Sequence, residues 1–341
     1  MRVEKGKVRA PEIGHTWLNS PPLSFRNLRG RAVLVDFWDY TCVNCIRTLP
    51  YVQAWYDTYK DKGLTVIGVH TPEFTFAQYE SNVERGIREF GLTYPIVIDN
   101  NREIWKAFAV RYWPTKYLLD KDGYLRYGHF GEGGYNECEQ VIQELLREID
   151  PDIALPPLLS PVREEDHPGN VCYRPTGELY LGHRRGRIGN EGGFKEDQIA
   201  DYSFSGAPEE NFFYANGRWA STAEYFEAVE PGEHTLTLAY EAAAVNLVMA
   251  SPRTSSAEVV ILQDGRPLRP DQATKDTRYR NGESSIVIDS ARMYFLTDNH
   301  EFGRHRLELR CSPGVAAFAF TFTSCVDPVA SALSANTVSV P

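Results

Sequence analysis

The stretch Ala32–Pro50, AVLVDFWDYTCVNCIRTLP, constrains the fold of this chain more than any other. Ala32–Trp38 is a short apolar run rich in branched residues, which predicts a buried strand. The spacing of apolar and aromatic residues over Ile46–Tyr59 predicts a helix. A buried strand therefore delivers two cysteines, Cys42 and Cys45, to the N-terminus of a helix.

This placement favours redox chemistry. Unpaired N–H groups and the positive end of a helix dipole stabilise an anion, so the Cys42 thiol is expected to ionise readily. Cys45 is expected to be better shielded and to close a disulfide with Cys42. Asp36 lies within the apolar strand, where burial should raise its pKa and suit it to accept a proton. A purely structural role for Asp36 is the alternative.

Two other uses of the cysteines fit less well. A zinc site needs four ligands, and the sequence has no second C-x-x-C and no close Cys/His pair beside this one, so no metal or other cofactor is predicted. A thiol peroxidase usually has a proline and a Thr or Ser upstream of its cysteine. Val35 and Asp39 occupy those positions here.

The rest of the first half alternates between strand and helix patterns, which predicts an α/β unit with a largely parallel central sheet. Asp122-Gly123 predicts an antiparallel hairpin near its end. The predicted strands are 64–70, 94–98, 110–119 and 124–130, and the predicted helices are 76–90, 101–108 and 138–149.

A second domain follows a proline-rich linker. Residues 151–168 contain five prolines, so we assign 1–150 to the first domain and 151–168 to a stiff linker. Residues 169–328 show short strand patterns separated by turn signals, which predicts an all-β antiparallel sandwich. Residues 329–341 are small and polar, which predicts a disordered tail.

Four further cysteines are scattered through the chain: Cys138, Cys172, Cys311 and Cys325. Cys311 and Cys325 flank an apolar run, and for these two residues ordinary buried thiols are the favoured interpretation and a disulfide between them is the alternative.

Composition and charge exclude some classes of partner. The formal net charge of −10 and the lack of a basic run argue against binding to nucleic acid. No apolar segment reaches about 18 residues, so no membrane-spanning helix is predicted. The first 20 residues carry charges and no apolar core typical of a secretory signal, which predicts a cytoplasmic location unless a leader has been removed, in which case the location is extracytoplasmic.

Three features of the first half together resemble the thioredoxin superfamily. They are the sequence DFWDYTCVNC, Pro50 five residues after the second cysteine, and Trp113-Pro114-Thr115 at a predicted strand start. The length between the cysteine helix and Pro114 is similar to that of the TlpA-like reductases. The predicted fold is therefore an α/β thioredoxin-like domain, with a central mixed sheet flanked by helices.

The resemblance implies the roles of the site residues. Cys42 would attack a disulfide in a protein substrate, Cys45 would resolve the mixed disulfide, and Pro114 would be a cis-proline beside the pair. Asp36 would be the buried acid that assists them. Trp38, Trp113 and Thr115 are the candidate substrate-binding residues.

The sequence YTCVNCIRTLP, together with the β-rich half that follows it, resembles the soluble C-terminal part of DipZ-type proteins. That resemblance implies a jelly-roll similar to carbohydrate-binding modules. It also implies a separate electron donor, such as a CcdA-type membrane protein or a thioredoxin reductase-like enzyme. The predicted function is that of a thiol–disulfide oxidoreductase.

A glycan- or protein-binding module with a redox-responsive dithiol is the alternative function. Aromatic side chains of the second half could stack on a sugar ring, although packing in the core is the simpler interpretation for most of them. They are Trp219, Tyr225, Tyr240, Tyr279 and Tyr294.

Overall fold

The computed structural model describes residues 1–14, 16–230, 232–251 and 257–326. The chain forms two compact units that divide after Val162. This division falls inside the predicted linker 151–168, and the predicted tail 329–341 lies outside the described residues. The part of the linker before the division packs on the first unit, because the side chains of Ile153, Leu155 and Leu159 contact its hydrophobic core.

The first unit is built from strands and helices in alternation. The strands are β1 (Trp17–Leu18), β2 (Ala32–Trp38), β3 (Leu64–His70), β4 (Ile96–Ile98), β5 (Thr115–Leu119) and β6 (Leu125–Phe130). The α-helices are α1 (Val43–Tyr59), α2 (Glu80–Glu89), α3 (Glu103–Ala107) and α4 (Tyr135–Ile149), and short 3-10 turns span Lys60–Lys62 and Thr75–Gln78.

These strands form one mixed sheet in the order β1-β4-β3-β2-β5-β6. Strand β2 runs parallel to β3 and antiparallel to β5, and β5 forms a hairpin with β6. Every residue of β2 and β3 is buried, as expected for neighbouring central strands covered on both faces. The predicted α/β fold with a mixed central sheet is confirmed.

Helix α1 packs on the sheet through an apolar face. Leu49, Val52, Trp55 and Tyr59 recur at helical spacing on this face and are all buried. The helix starts at Val43, three residues before the predicted start. Cys42 is therefore the N-cap residue, in agreement with the predicted placement of the two cysteines at the helix N-terminus.

The second unit contains only strands and short 3-10 turns among its described residues. The strands are β7 (Val171–Cys172), β8 (Leu179–Tyr180), β9 (Ile199–Tyr202), β10 (Phe213–Ser221), β11 (Phe226–Ala228), β12 (His234–Ala250), β13 (Ala257–Gln263), β14 (Arg266–Pro267), β15 (Arg278–Arg280), β16 (Glu283–Ile288), β17 (Arg292–Cys311), β18 (Ala316–Thr323) and β19 (Cys325–Val326). The 3-10 turns span Glu164–Asp166 and Pro270–Gln272.

Strands β7 and β19 pair with each other in a separate two-stranded sheet. The other strands join in a large antiparallel sheet whose main path is β15-β16-β13-β17-β12-β10-β11-β18-β8, with β9 paired to β10 and β14 to β13. Strand β12 also pairs directly with β18, so β12, β10, β11 and β18 close into a ring. The predicted all-β second domain is confirmed. Its jelly-roll connectivity stays a prediction.

The favoured prediction of a free buried thiol is wrong for Cys325 and confirmed for Cys311. Cys172 and Cys325 form a disulfide, whereas Cys311 is a buried free thiol. The two bonded cysteines face each other in the antiparallel pair of β7 and β19, with Cα atoms 3.9 Å apart. The alternative Cys311–Cys325 bond is excluded because Cys325 is already bonded to Cys172.

Candidate active site

The dithiol lies at the junction between β2 and α1. Cys42 is the N-cap residue of α1, and its extended backbone directs the sulfur at the helix N-terminus. The Cys42 Sγ accepts a hydrogen bond from the Cys45 backbone N–H at 3.3 Å. Cys42 is partly exposed, Cys45 is fully buried, and both are free thiols. Cys42 is therefore the more accessible of the two cysteines, and Cys45 lies inside the fold one turn further along the helix.

The expectation that Cys42 ionises readily is wrong for this structure. Burial raises the pKa of the Cys42 thiol, and the charges of Glu73 and Asp39 raise it further, although hydrogen bonds with Cys45 oppose the rise. Burial also holds the pKa of Cys45 well above its ordinary value, with smaller contributions from Cys42 and Asp36. Removal from water outweighs the stabilisation of an anion at the helix N-terminus.

Asp36 is fully buried on β2, and neither of its carboxylate oxygens has a hydrogen-bond partner in the described part of the chain. Burial raises its pKa to about 6, and the charge of Lys116 opposes that rise. Lys116 is the residue opposite Asp36 in the β2–β5 pair and is also fully buried. The predicted rise in the pKa of Asp36 is confirmed, and this carboxyl can change charge near neutral pH.

The loop before β5 packs on the same hydrophobic cluster as the two cysteines. The Trp113–Pro114 peptide bond is cis. The Trp113 Nε1–H donates to the Thr71 carbonyl at 3.1 Å, and the Thr115 hydroxyl donates to the Tyr112 carbonyl at 2.7 Å. The side chain of Trp113 packs at the edge of the hydrophobic cluster that contains both cysteines.

The structure argues against two of the predicted substrate-binding residues. Trp38 and Thr115 each have 0% exposure, so neither can touch a substrate that approaches from solvent. Trp38 instead packs in the same hydrophobic cluster as Cys45. Trp113 is partly exposed, so it alone of the three can offer a contact surface.

Sequence reasoning missed two charged residues near the dithiol. Lys116 could not be found from its own strand, because its significance depends on facing Asp36 on another strand. Asp39 carried a local signal, since an Asp two residues before a Thr is typical of a turn closed by the aspartate side chain. The Asp39 carboxylate accepts hydrogen bonds from the Thr41 N–H and hydroxyl, both at 2.7 Å.

The aromatic residues proposed as a sugar platform mostly belong to the core of the second unit. Trp219, Tyr240 and Tyr294 each have 0% exposure, so they cannot stack on a glycan. Tyr279 is 47% exposed. Core packing is therefore the correct interpretation for these three aromatic side chains.

Two family models match the chain in separate regions. Residues 8–128 match the AhpC/TSA family, and residues 176–323 match the family described as thioredoxin like C-terminal domain. Each match lies within one of the two structural units.

Two similar proteins match different shares of the chain. Protein DipZ of Mycobacterium bovis is 35% identical over 312 residues, which cover 90% of this chain and 41% of DipZ. The chain thus spans about two-fifths of the length of that relative. Thiol-disulfide oxidoreductase ResA of Bacillus thuringiensis is 30% identical over 150 residues, which cover 44% of this chain and 81% of ResA.

Among solved structures, a thiol-disulfide isomerase from Corynebacterium glutamicum is 26% identical, with a TM-score of 0.38. The alignment covers 40% of this chain and 96% of the isomerase.

Proposed function

The chain belongs to the thioredoxin-like thiol-disulfide oxidoreductases, and from this membership we propose that it uses Cys42 and Cys45 to reduce or exchange disulfides in protein substrates. One observation carries the proposal. Two free thiols lie three residues apart at the start of α1, with the first accessible and the second buried behind it.

The proposed reaction has two exchange steps. The Cys42 thiolate attacks one sulfur of the substrate disulfide, forms a mixed disulfide and releases the first substrate thiolate, which takes up a proton. The Cys45 thiol then loses its proton and attacks the Cys42 sulfur, which forms the Cys42–Cys45 disulfide and releases the second substrate thiolate. Asp36 is the proposed acceptor of the Cys45 proton, since its pKa of about 6 leaves it largely ionised at neutral pH.

Each cycle oxidises the dithiol and passes two electrons to the substrate. A reductant must therefore return two electrons before the next cycle. We propose a CcdA-type membrane protein or a thioredoxin reductase-like enzyme as this partner.

The Cys172–Cys325 disulfide supports the proposal that the protein functions in an oxidising compartment. Structural disulfides persist outside the cytoplasm, where thiol reductants do not keep cysteines reduced. We therefore propose an extracytoplasmic location. Across the described residues, no helix combines the length and apolar character needed to cross a membrane.

Insulin reduction tests the proposed function. With dithiothreitol as the recycling reductant, the wild-type protein should accelerate insulin reduction, and Cys42→Ser should reduce the rate to that of dithiothreitol alone. After removal of dithiothreitol, reduced Cys45→Ser mixed with insulin should accumulate a mixed disulfide between Cys42 and insulin, because the resolving thiol is missing. Both effects follow from the two exchange steps.

Cys311→Ala is the matched control, because it removes a buried free thiol from the other unit. It should retain the wild-type rate. Equal rates for wild type and Cys42→Ser would contradict the proposed function.

A further inference from the structure

Asp39 occupies the turn between β2 and α1 and is fully buried. One carboxylate oxygen accepts the two hydrogen bonds from Thr41, and the other accepts the Glu73 backbone N–H at 2.6 Å. The Asp39 carbonyl also accepts the Cys42 N–H at 3.2 Å. The Asp39 side chain thus connects Thr41, the residue before Cys42, to the loop at Glu73, which lies 34 positions after Asp39.

The hydrogen bonds favour an ionised Asp39. Backbone N–H groups can only donate, and both carboxylate oxygens face such donors. Burial raises the pKa of Asp39, whereas the hydrogen bonds from Thr41 and Glu73 and the charge of Arg102 lower it. Burial is the larger effect, so the pKa of Asp39 lies above its ordinary value, and the hydrogen bonds to both oxygens limit this rise.

The loop that Asp39 holds also contacts the segment before β5. The Trp113 indole N–H donates to the Thr71 carbonyl, and the Arg102 guanidinium donates to the Pro72 carbonyl at 2.8 Å. Residues 71–73 therefore connect the turn before Cys42 to the cis-proline loop. Asp39 supplies the connection on the cysteine side.

We propose that Asp39 is a positioning residue of the dithiol site. Its carboxylate fixes the backbone before Cys42 against the loop at Glu73, and its negative charge adds to the burial that disfavours a thiolate at Cys42. The inference deepens the proposed function, on which it rests, by assigning a residue that limits how much reactive thiolate the enzyme holds at rest.

The charges that act on Cys42 agree in direction. Asp39 and Glu73 both disfavour its thiolate, as does burial, and the hydrogen bonds with Cys45 favour it. Removing either carboxylate charge should therefore lower the pKa of the Cys42 thiol. Asp39 is buried and bonded to the neighbouring residue, whereas Glu73 is partly exposed but exerts the larger of the two charge effects on Cys42.

Two neutral replacements test Asp39 directly. Asp39→Asn is nearly isosteric, and Asp39→Ser can still accept a hydrogen bond from the Thr41 N–H in the same type of turn. The Cys42 pKa is measured from thiolate absorbance and from the rate of iodoacetamide alkylation across pH, with the modified residue located by mass spectrometry. Both variants should lower this pKa by about one unit, which raises the thiolate fraction at pH 7 about tenfold.

The alkylation rate at pH 7 should rise less than the thiolate fraction. A thiolate of lower pKa is a weaker nucleophile, so a tenfold larger fraction gives an increase of about threefold. A merely structural role for Asp39 would not shift the pH profile in this direction. An unchanged or higher Cys42 pKa in the folded Asp39 variants would overturn the proposal.

Glu73→Gln provides a second variant that keeps the backbone N–H bonded to Asp39. It should also lower the Cys42 pKa, because the charge of Glu73 disfavours the thiolate as well. If both Asp39 variants failed to fold, an unchanged pKa in Glu73→Gln would reject the role of charge. The thiol titration needs no disulfide substrate, so a wild type inactive on insulin would contradict the proposed function and leave this inference standing.

Discussion

Asp36 and Asp39 are both fully buried near the dithiol, but their surroundings give them different properties. Asp39 accepts three hydrogen bonds, which hold its charge in place. Asp36 accepts none in the described part of the chain and has only the more distant charge of Lys116 to offset its burial. One carboxylate is thus suited to position the loop, and the other to gain and lose a proton.

Replacing Asp36 should change how stability depends on pH. The folded-state pKa of about 6 lies above the ordinary value near 3.9, so the folded protein holds this proton more tightly than the unfolded chain. The resulting stabilisation is complete below about pH 4 and is lost as the pH rises through 6. At pH 8 the ionised carboxylate then lowers the free energy of unfolding by about 3 kcal/mol relative to pH 4.

Asp36→Asn cannot ionise, so it should be more stable than wild type at pH 8 by up to about 3 kcal/mol and lose this advantage at pH 4. Urea unfolding at both pH values measures the difference between the two proteins. Asp61→Asn, which changes an exposed aspartate of the same unit, is the matched control. The same difference between wild type and Asp36→Asn at both pH values would reject this prediction.

At the scale of elements, α4 holds the segment that follows it. Glu139 is buried on α4, where one carboxylate oxygen accepts the Tyr59 hydroxyl at 2.6 Å and the other accepts the Leu159 N–H at 3.0 Å. Gln143, one turn further along, donates to the Pro156 carbonyl at 2.9 Å. These bonds attach a proline-rich stretch to the first unit through its backbone.

Glu139→Ala should detach that stretch. It leaves the Leu159 N–H and the Tyr59 hydroxyl without their acceptor, so we expect the first unit to lose about 2–3 kcal/mol of unfolding free energy. Hydrogen exchange should also accelerate at the Leu159 amide. The control is Glu144→Ala, since Glu144 lies on the same helix and forms an exposed ion pair with Arg2. Its loss should lower the free energy of unfolding by less than about 1 kcal/mol. Unchanged exchange at Leu159 would show that this bond does not hold the segment.

Sequence patterns located the elements of the first unit well, and those of the second unit less well. Strands β2 and β3 have the predicted bounds, because each is a continuous apolar run. In the sequence, only residues 235–240 and 246–250 of β12 show strand patterns. The alanine-rich residues between them have low strand propensity, but pairing with β17 carries the strand through a bulge near Ala242.

In the candidate site too, residues marked by a local pattern could be predicted, whereas residues that depend on a distant partner could not. Cys42, Cys45 and Asp36 could be found because a residue type at a fixed spacing in one segment identifies them. The role of Asp39 depends on Glu73, and that of Lys116 depends on facing Asp36 across the sheet. Such pairs arise only when distant segments fold together, so one sequence does not reveal them.

At the scale of the whole molecule, the Cys172–Cys325 disulfide closes a loop with a sequence separation of 153 residues. It joins the two ends of the described second unit, since β7 is its first strand and β19 its last. Residues this far apart share no spacing pattern, which explains why the sequence did not reveal this pair. The bond restricts the unfolded chain, and this restriction increases with loop length.

Reducing this disulfide should destabilise the second unit. The chain-entropy relation gives an upper value of about 5 kcal/mol for a loop of this length, and measured losses are typically about 2–5 kcal/mol. Calorimetry with and without dithiothreitol measures the effect in a Cys42→Ser/Cys45→Ser background, so that only the Cys172–Cys325 bond responds. Cys172→Ser/Cys325→Ser should match the reduced protein and show no response to reductant. Cys311→Ala in the same background keeps the Cys172–Cys325 bond, so its stability should still fall when reductant is added. If the Cys42→Ser/Cys45→Ser protein were equally stable with and without reductant, the disulfide would not stabilise the unit.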